Sequence, residues 1–600
     1  MNDSGQPEGP AAETPEPSPA ATTAWGSDAI AACLRELDLP YLALNPGASF
    51  RGLHDSLVNF LGNARPQMLL CLHEESAVSI AQGYAKASGR MMGVVLHSNV
   101  GLMHATMAIF NAWCDRVPML ILGATGPVDA AKRRPWIDWI HTVADQGALI
   151  RDYVKWDDQP GSIPSALDAL VRVAQLARAA PTAPTYVNLD AALQEAPLAA
   201  MPRMPDVSRF APPAPARPDD AALVDAVERL RGARRPVILM GRASRSAAGW
   251  RDRVELATRV RARVITDLKL AAAFPTDHPL HVAPPGAFLA PEAIAALRDA
   301  DLVLALDWVD LAGTLAQAWD GAVPVAVINV SADAQLHRGW SKDHFGPSPA
   351  DVYLPCEPDA VVPLLVRALA EGGVAAGAAP GPSAAEHGAP AQGSAPPRDA
   401  DALTLATLAA TFNAATRDVD VCITRVPLGW HGSYRDFRHP LDYIGLEGGG
   451  GVGAGPGITV GASLALAGSG RLPVAILGDG DFLMGVTALW TAVHYRLPCL
   501  LVVANNRSFY NDELHQERVA RARGRPVANK WIGQRIDDPD IDLAAMARAQ
   551  GARGFGPVTS AAALREALDE GLRAVAAGEV VVIDARVARG AAASPAPARR

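Results

Sequence analysis

Short apolar runs of strand length recur along the chain, most of them ending in a turn ahead of a stretch with apolar residues at helical spacing. Tyr41–Leu44, Gln67–Leu72, Met92–Leu96, Pro118–Thr125 and Thr185–Asp190 form one series, Arg235–Met240, Arg263–Asp267 and Leu302–Asp307 a second, and Leu472–Gly478 with Cys499–Asn505 a third. Runs this short, bounded by Gly, Pro, Asn or Asp, predict buried strands. Between them the spacing predicts helices starting near Leu53, over Ser76–Ser88, around Ala108–Trp113, over Phe482–Tyr495 and near Leu543. Strand and helix alternating in this way predict an α/β protein with three doubly wound parallel-sheet domains.

Segment composition divides the chain. Residues 1–24 are rich in Pro, Ala, Glu and Thr, without a basic start or an apolar heart, so a disordered tail is expected there and not a signal peptide. The first domain is expected over 25–195, the second over 218–370 and the third over 401–587. Residues 371–400, dominated by Ala, Gly, Pro and Ser, describe a linker, and 588–600 a flexible tail. Six hundred residues carrying a net charge of -9 at a pI near 5.9 offer no basic surface for nucleic acid. No apolar run has the length of a membrane span. The six dispersed cysteines lack metal-finger spacing and read as reduced thiols of a cytoplasmic protein.

The third series carries the chemistry. Leu472–Gly478, a helix, and Cys499–Asn505 make a βαβ unit, in which parallel strands finish at the same edge. Asp479 and Asn506 therefore converge, although residues 480–505 separate them. A carboxylate, an amide oxygen and a carbonyl form an oxygen-only set that suits Mg2+ held together with phosphate oxygens, which implies a phosphorylated cofactor. Alone, Gly478-Asp479-Gly480 is an ordinary strand-ending turn. With Asn505-Asn506 at this spacing it resembles the signature of thiamine-diphosphate-dependent enzymes. The resemblance implies Asp479, Asn506 and the main-chain oxygen of Ser508 as metal ligands.

The first series adds a second element. His73-Glu74-Glu75 follows a strand, and the next helix contains Gly83-Tyr84-Ala85, a pattern similar to the catalytic-glutamate element of the same enzymes. A carboxyl held away from water keeps its proton to higher pH and can exchange it with a cofactor ring nitrogen. The competing reading is a helix-start carboxylate stabilised by the dipole, a role Glu75 could fill. Leu96-His97-Ser98, followed by a helix bearing Asn111-Ala112-Trp113, resembles the benzoylformate decarboxylase branch, which implies that His97 handles protons beside the substrate. A lone turn histidine is otherwise a structural residue. The same resemblance carries cofactor contacts to Gly47, Glu74, Val452, Gly478, Asp479, Gly480, Asp481 and Asn506, and substrate contacts to Ser49, His97 and Ser98.

Phe274-Pro275-Thr276-Asp277-His278-Pro279-Leu280 resembles a piece of the central domain of the acetolactate synthase and benzoylformate decarboxylase superfamily. Some relatives hold FAD or an adenine nucleotide there. No strand followed by Gly-x-Gly-x-x-Gly supports either here, and the match at Gly448, Gly450 and Gly453 is a chance product of a glycine run. No histidine after Asp307 matches the one that benzoylformate decarboxylase contributes. Arg518, Arg521, Arg523 and Arg525 read as a solvent-facing charged helix.

Together these features imply thiamine-diphosphate-dependent decarboxylation of a small-molecule 2-oxo acid by way of an ylid and an enamine. Acetolactate-synthase-like ligation and 2-hydroxyacyl-thioester cleavage are the alternatives, and a non-catalytic homologue is disfavoured by the intact Glu74 and metal set. In this class the first domain of one subunit faces the third of its partner, which implies a homodimer or homotetramer.

Overall fold

A computed structural model of the protein describes residues 10, 13–17, 23–335, 347–373 and 402–590. Each apolar run named above folds as a strand, and pairing within each series is parallel throughout. In the first sheet the spatial order is Gln67–Leu70, Tyr41–Leu44, Met92–Leu96, Met119–Thr125, Pro184–Asp190 and Asp157–Asp158. In the second it is Arg263–Ile265, Pro236–Met240, Leu302–Leu306, Ala326–Val330 and Val352–Leu354. In the third it is Val421–Arg425, Leu472–Gly478, Cys499–Asn505, Val580–Arg586 and Arg553–Val558. Apolar clusters cover both faces of every sheet, so the fold is three doubly wound α/β domains. Most of the expected tails and linker, residues 1–9, 11–12, 18–22, 374–401 and 591–600, lie outside the described residues. Within the first stretch, Glu13 docks on the body: its carboxylate accepts from Tyr495 Oη at 3.3 Å, and its carbonyl accepts from Asn63 Nδ2 at 3.0 Å.

In the first two sheets the chain reverses direction after its second strand, and this leaves a crevice at the carboxyl ends of the first and third strands. In the first sheet that crevice lies between Leu44 and Leu96, so the turns starting at Asn45 and His97 border it. In the central sheet the corresponding edge is closed by protein. Gly241 N–H donates to Leu306 O at 2.9 Å, and Arg116 reaches in from the first domain to pair with Asp307 at 2.7 Å and with Asp333.

The first and third domains press together through helix Glu74–Ser88 on helix Gly455–Leu466. A Cβ at Gly83 would stand 2.0 Å from Ile458 O and one at Gly461 would stand 1.9 Å from Ile80 O, so glycine is what lets the backbones meet. Edge strand Gln67–Leu70 is covered at the same interface: Leu70 N–H donates to Tyr495 Oη at 2.8 Å, and Thr491 Oγ1 donates to Leu70 O at 2.9 Å. The first and third domains of one chain thus share a packed interface. Close helix contact through glycine is the physical reason.

Two helices differ from expectation in their bounds. The helix expected from Ser76 starts at Glu74, and the helix expected over Phe482–Tyr495 is two, Asp479–Gly485 and Ala488–His494. In both places acidic residues occupy the first turn, where free amides and the helix dipole favour them. The basic stretch begins inside helix Tyr510–Ala522, where Arg521 pairs with Glu517 at 2.6 Å.

Candidate active site

Glu74 is the first residue of its helix and is only 5% exposed. His73 caps that helix by accepting Glu75 N–H on Nδ1 at 3.1 Å. The absence of a side chain at Gly101 makes room for the Glu74 carboxyl, since a Cβ there would lie 3.1 Å from Oε1. The other oxygen, Oε2, is 3.1 Å from His104 Nδ1.

His97 ends strand Met92–Leu96 and precedes helix Ser98–Cys114. Ser98 N–H donates to Ser49 Oγ at 3.1 Å, and Ser49 Oγ is 2.9 Å from His97 Nδ1. Ser49 Oγ keeps both a proton and a second lone pair, so this contact fits either His97 tautomer, and a further donor at Nδ1 is what favours the ring proton on Nε2. That donor is the Ser49 backbone N–H, directed at Nδ1 at 3.5 Å. His141 lies edge-on to His97 with ring centres 4.5 Å apart. Burial first and His141 second hold His97 below the ordinary histidine range, while Glu74 opposes them, which places Glu74 in the same electrostatic neighbourhood. Gly47 is required for closeness, since a Cβ would stand 2.3 Å from the His97 ring. Ser98 is fully buried with φ +41, a strained value for serine.

In the third domain Asp479 opens its helix and is 4% exposed. Its Oδ1 accepts Gly480 N–H at 2.9 Å and its Oδ2 accepts Ser508 N–H at 3.1 Å. Burial raises its carboxyl above the ordinary aspartate range, opposed by these backbone bonds. Strands Leu472–Gly478 and Cys499–Asn505 pair in register with Gly478 beside Ala504, which brings Asn506 to the same edge. Asn505 turns away to donate to Asp584 at 2.8 Å, whereas Asn506 Oδ1 is buried without a hydrogen-bond partner. Ser508 sits opposite Arg535, its hydroxyl donating to Glu513 at 2.6 Å. Space beside Gly478 is open, while a Cβ at Gly480 would strike Phe509 at 2.6 Å.

Asp481, to which the resemblance carries a cofactor contact, also makes structural bonds within the chain. Its Oδ1 accepts Gly453 N–H at 2.8 Å and Gly455 N–H at 3.2 Å, and its Oδ2 accepts Arg425 Nε at 3.1 Å. Arg425 also pairs with Glu447 at 2.6 Å. The carboxylate thus ties the glycine turn to its own sheet. Half-buried Val452 stands in that turn, between Gly451 and Gly453, the latter in the left-handed region at φ +110. The turn rests on the first domain: Asn111 Oδ1 accepts Gly451 N–H at 3.2 Å, and a Cβ at Gly453 would lie 3.8 Å from Glu75 Oε1. Burial and Asp481 both raise the Glu75 carboxyl. Glu75 and Asn111 of the first domain therefore border the glycine turn of the third domain within one chain.

His104, His141 and the contact made by Asn111 escaped the sequence reading. His104 carries a signal in retrospect, because His97, Gly101 and His104 fall on one helical face. His141 carries none, being placed by an irregular segment.

Models of the thiamine pyrophosphate enzyme N-terminal TPP binding domain, central domain and C-terminal TPP binding domain match residues 24–149, 223–335 and 427–585. The chain belongs to this family of thiamine-pyrophosphate-dependent enzymes. It is similar to a benzoylformate decarboxylase of Pseudomonas aeruginosa, 29% identical over 550 residues that cover 86% of this chain and 91% of the relative. An acetolactate synthase large subunit of Corynebacterium glutamicum is 27% identical over 289 residues, covering 47% of this chain and 44% of the relative. The fold superimposes on a 4-hydroxybenzoylformate decarboxylase of Rhodococcus jostii with a TM-score of 0.72 at 21% identity, over 94% of this chain and 99% of the other.

Proposed function

We propose that this enzyme decarboxylates a 2-oxo acid, using thiamine diphosphate held through Mg2+. The observation that carries the proposal is the buried, unpartnered Asn506 Oδ1 beside the buried Asp479 carboxylate at the ends of adjacent strands. A buried acceptor without a partner costs about 1–3 kcal/mol, and a divalent cation relieves that cost. Asp479, Asn506 and the Ser508 carbonyl fit a magnesium ion, and the open space at Gly478 fits a diphosphate. Thiamine diphosphate, when bound, supplies the carbon nucleophile and the electron sink for decarboxylation.

The chain's own groups supply position and protons. Glu74 places a carboxyl group sheltered from water where a proton can be exchanged. His97, kept neutral by burial, presents its Nε2–H, while Ser49 and Ser98 fix the ring. Gly47, Val452 and Gly480 shape the walls, and Asp481 secures the turn that carries Val452. The benzoylformate decarboxylase relative is matched over nearly its whole length, whereas the acetolactate synthase is matched over less than half, and this favours decarboxylation over ligation. Arg116 at the central crevice speaks against FAD or an adenine nucleotide there. Thiols of Cys33, Cys71, Cys422 and Cys499, pushed up to about 12 by burial, suit a reduced, cytoplasmic protein. A homodimer or homotetramer, which the resemblance implies, is to be checked by light scattering.

Purified protein with thiamine diphosphate, Mg2+ and a panel of 2-oxo acids, pyruvate and benzoylformate included, tests the proposal by mass spectrometry. Carbon dioxide with an aldehyde is the expected result. A two-substrate adduct moves the assignment to ligation, and inertness toward every 2-oxo acid overturns it in favour of thioester cleavage or a non-catalytic role. Glu74→Gln should keep the fold and lose at least about 10²-fold in kcat.

A further inference from the structure

Among the described residues, His104 is the one side chain hydrogen-bonded to the Glu74 carboxyl, with Nδ1 3.1 Å from Oε2. The two partners differ sharply in solvent access: the His104 side chain is 54% exposed and that of Glu74 is 7% exposed. Helical spacing sets the arrangement. His97 stands just ahead of helix Ser98–Cys114, Gly101 lies one turn on and makes room for Oε1, and His104 lies on the next turn, within reach of Oε2. Beneath it, the His73 ring stacks on that of His104, with centres 5.2 Å apart and planes 17° apart.

His73, Glu74 and His104 offer ligand atoms within 4.8 Å of one another, which raises the question of a metal. The ring geometry argues against one. A metal lies in the plane of each imidazole that binds it, and the planes of two stacked rings 17° apart meet only well beyond coordination distance of the ring nitrogens. His73 Nδ1 is moreover occupied by Glu75 N–H. Stacking instead fixes the orientation of His104, as a ring that must hold one nitrogen on a carboxylate requires.

We propose that His104 is the positioning residue for Glu74 and its proton path to water. In this assignment Nδ1–H donates to Oε2, and Nε2 of the half-exposed side chain exchanges with water. A proton taken by Nε2 from water releases the Nδ1 proton to the carboxylate. The reverse flow restores the first tautomer, and no other bond changes. Charged and titratable groups around this path are Glu74, Glu75 and His73 on the facing helix start, and His97 on its own. The inference rests on the role of Glu74 proposed above, but its first test does not.

That test is a histidine carbon NMR spectrum of cofactor-free protein labelled with 13C-histidine, recorded above the ordinary histidine range, with the His104 signal identified by its loss in His104→Asn. The Nδ1–H tautomer is expected, turning mostly to Nε2–H in Glu74→Ala. An Nε2–H tautomer in the unaltered protein overturns the contact. The second test is kinetic. His104→Asn keeps a donor but cannot relay, so kcat should fall about 10²-fold at nearly constant KM, and added imidazole should restore turnover to His104→Gly. An unchanged kcat in His104→Asn, or no rescue, overturns the relay. Absence of turnover in the unaltered enzyme would count against the proposed function, leaving the NMR result to decide the contact.

Discussion

Replacing Asp481 separates two jobs that one carboxylate performs. Asp481→Asn retains a neutral Oδ1 for Gly453 N–H and Gly455 N–H but turns an amide donor toward Arg425 Nε. Arg425 is buried and keeps Glu447 at 2.6 Å, so the loss is one charge-assisted bond, about 2 kcal/mol. Asp481→Ala also strips both amides of their acceptor, and about 4 kcal/mol is expected, in the range for breaking a buried ion pair. At about 2–4 °C per kcal/mol for a domain of this size, Tm should fall by about 4–8 °C for Asn and about 8–16 °C for Ala. Unfolding of a three-domain chain is best compared by scanning calorimetry at a matched rate, with cofactor absent so that binding does not mask the difference. Cofactor affinity measured separately should weaken more for Ala, because the glycine turn carrying Val452 is then untied. Equal Tm values for the two variants would refute the assignment of the amide bonds, and an unchanged Asn variant would refute the contribution of Arg425.

Further outcomes are expected. Asn506→Ala should lower the magnesium retained after gel filtration with thiamine diphosphate. In the unaltered protein, Mg2+ affinity by calorimetry should fall on acidification from above the ordinary aspartate range, because burial makes Asp479 hold a proton that the metal must displace; pH-independent affinity would contradict this. His141→Gln removes one of the two influences that lower His97, so the acid limb of kcat/KM should move to higher pH. With its folded value depressed, His97 adds stability that is complete above the unfolded histidine value of about 6.5 and is lost as pH falls toward the folded one. Gly461→Ala places a Cβ 1.9 Å from Ile80 O, so the helices joining the first and third domains must separate; faster limited proteolysis between these domains is the readout, and unchanged cleavage would contradict it.

Elements built from contiguous pattern were legible in the sequence. Leu472–Gly478 and Cys499–Asn505 are apolar throughout because both sheet faces are covered, and parallel pairing alone then puts Asp479 and Asn506 at one edge. Glu74 and His97 were legible for the same reason, since each follows the end of a buried strand. Burial pattern does not reveal which neighbour a polar group chooses. Asp481 stands two residues from Asp479 in the same helical turn, yet it bonds to a glycine turn and to Arg425 on another strand. Glu74 meets His104 only because two helices cross where Gly101 leaves room. Strand ends and turn chemistry are local properties, decided by the alternation of apolar runs with Gly, Asn and Asp. Partners such as His104, His141 and Asn111 are set by helix crossings and irregular segments, whose geometry exists only once the sheets are packed.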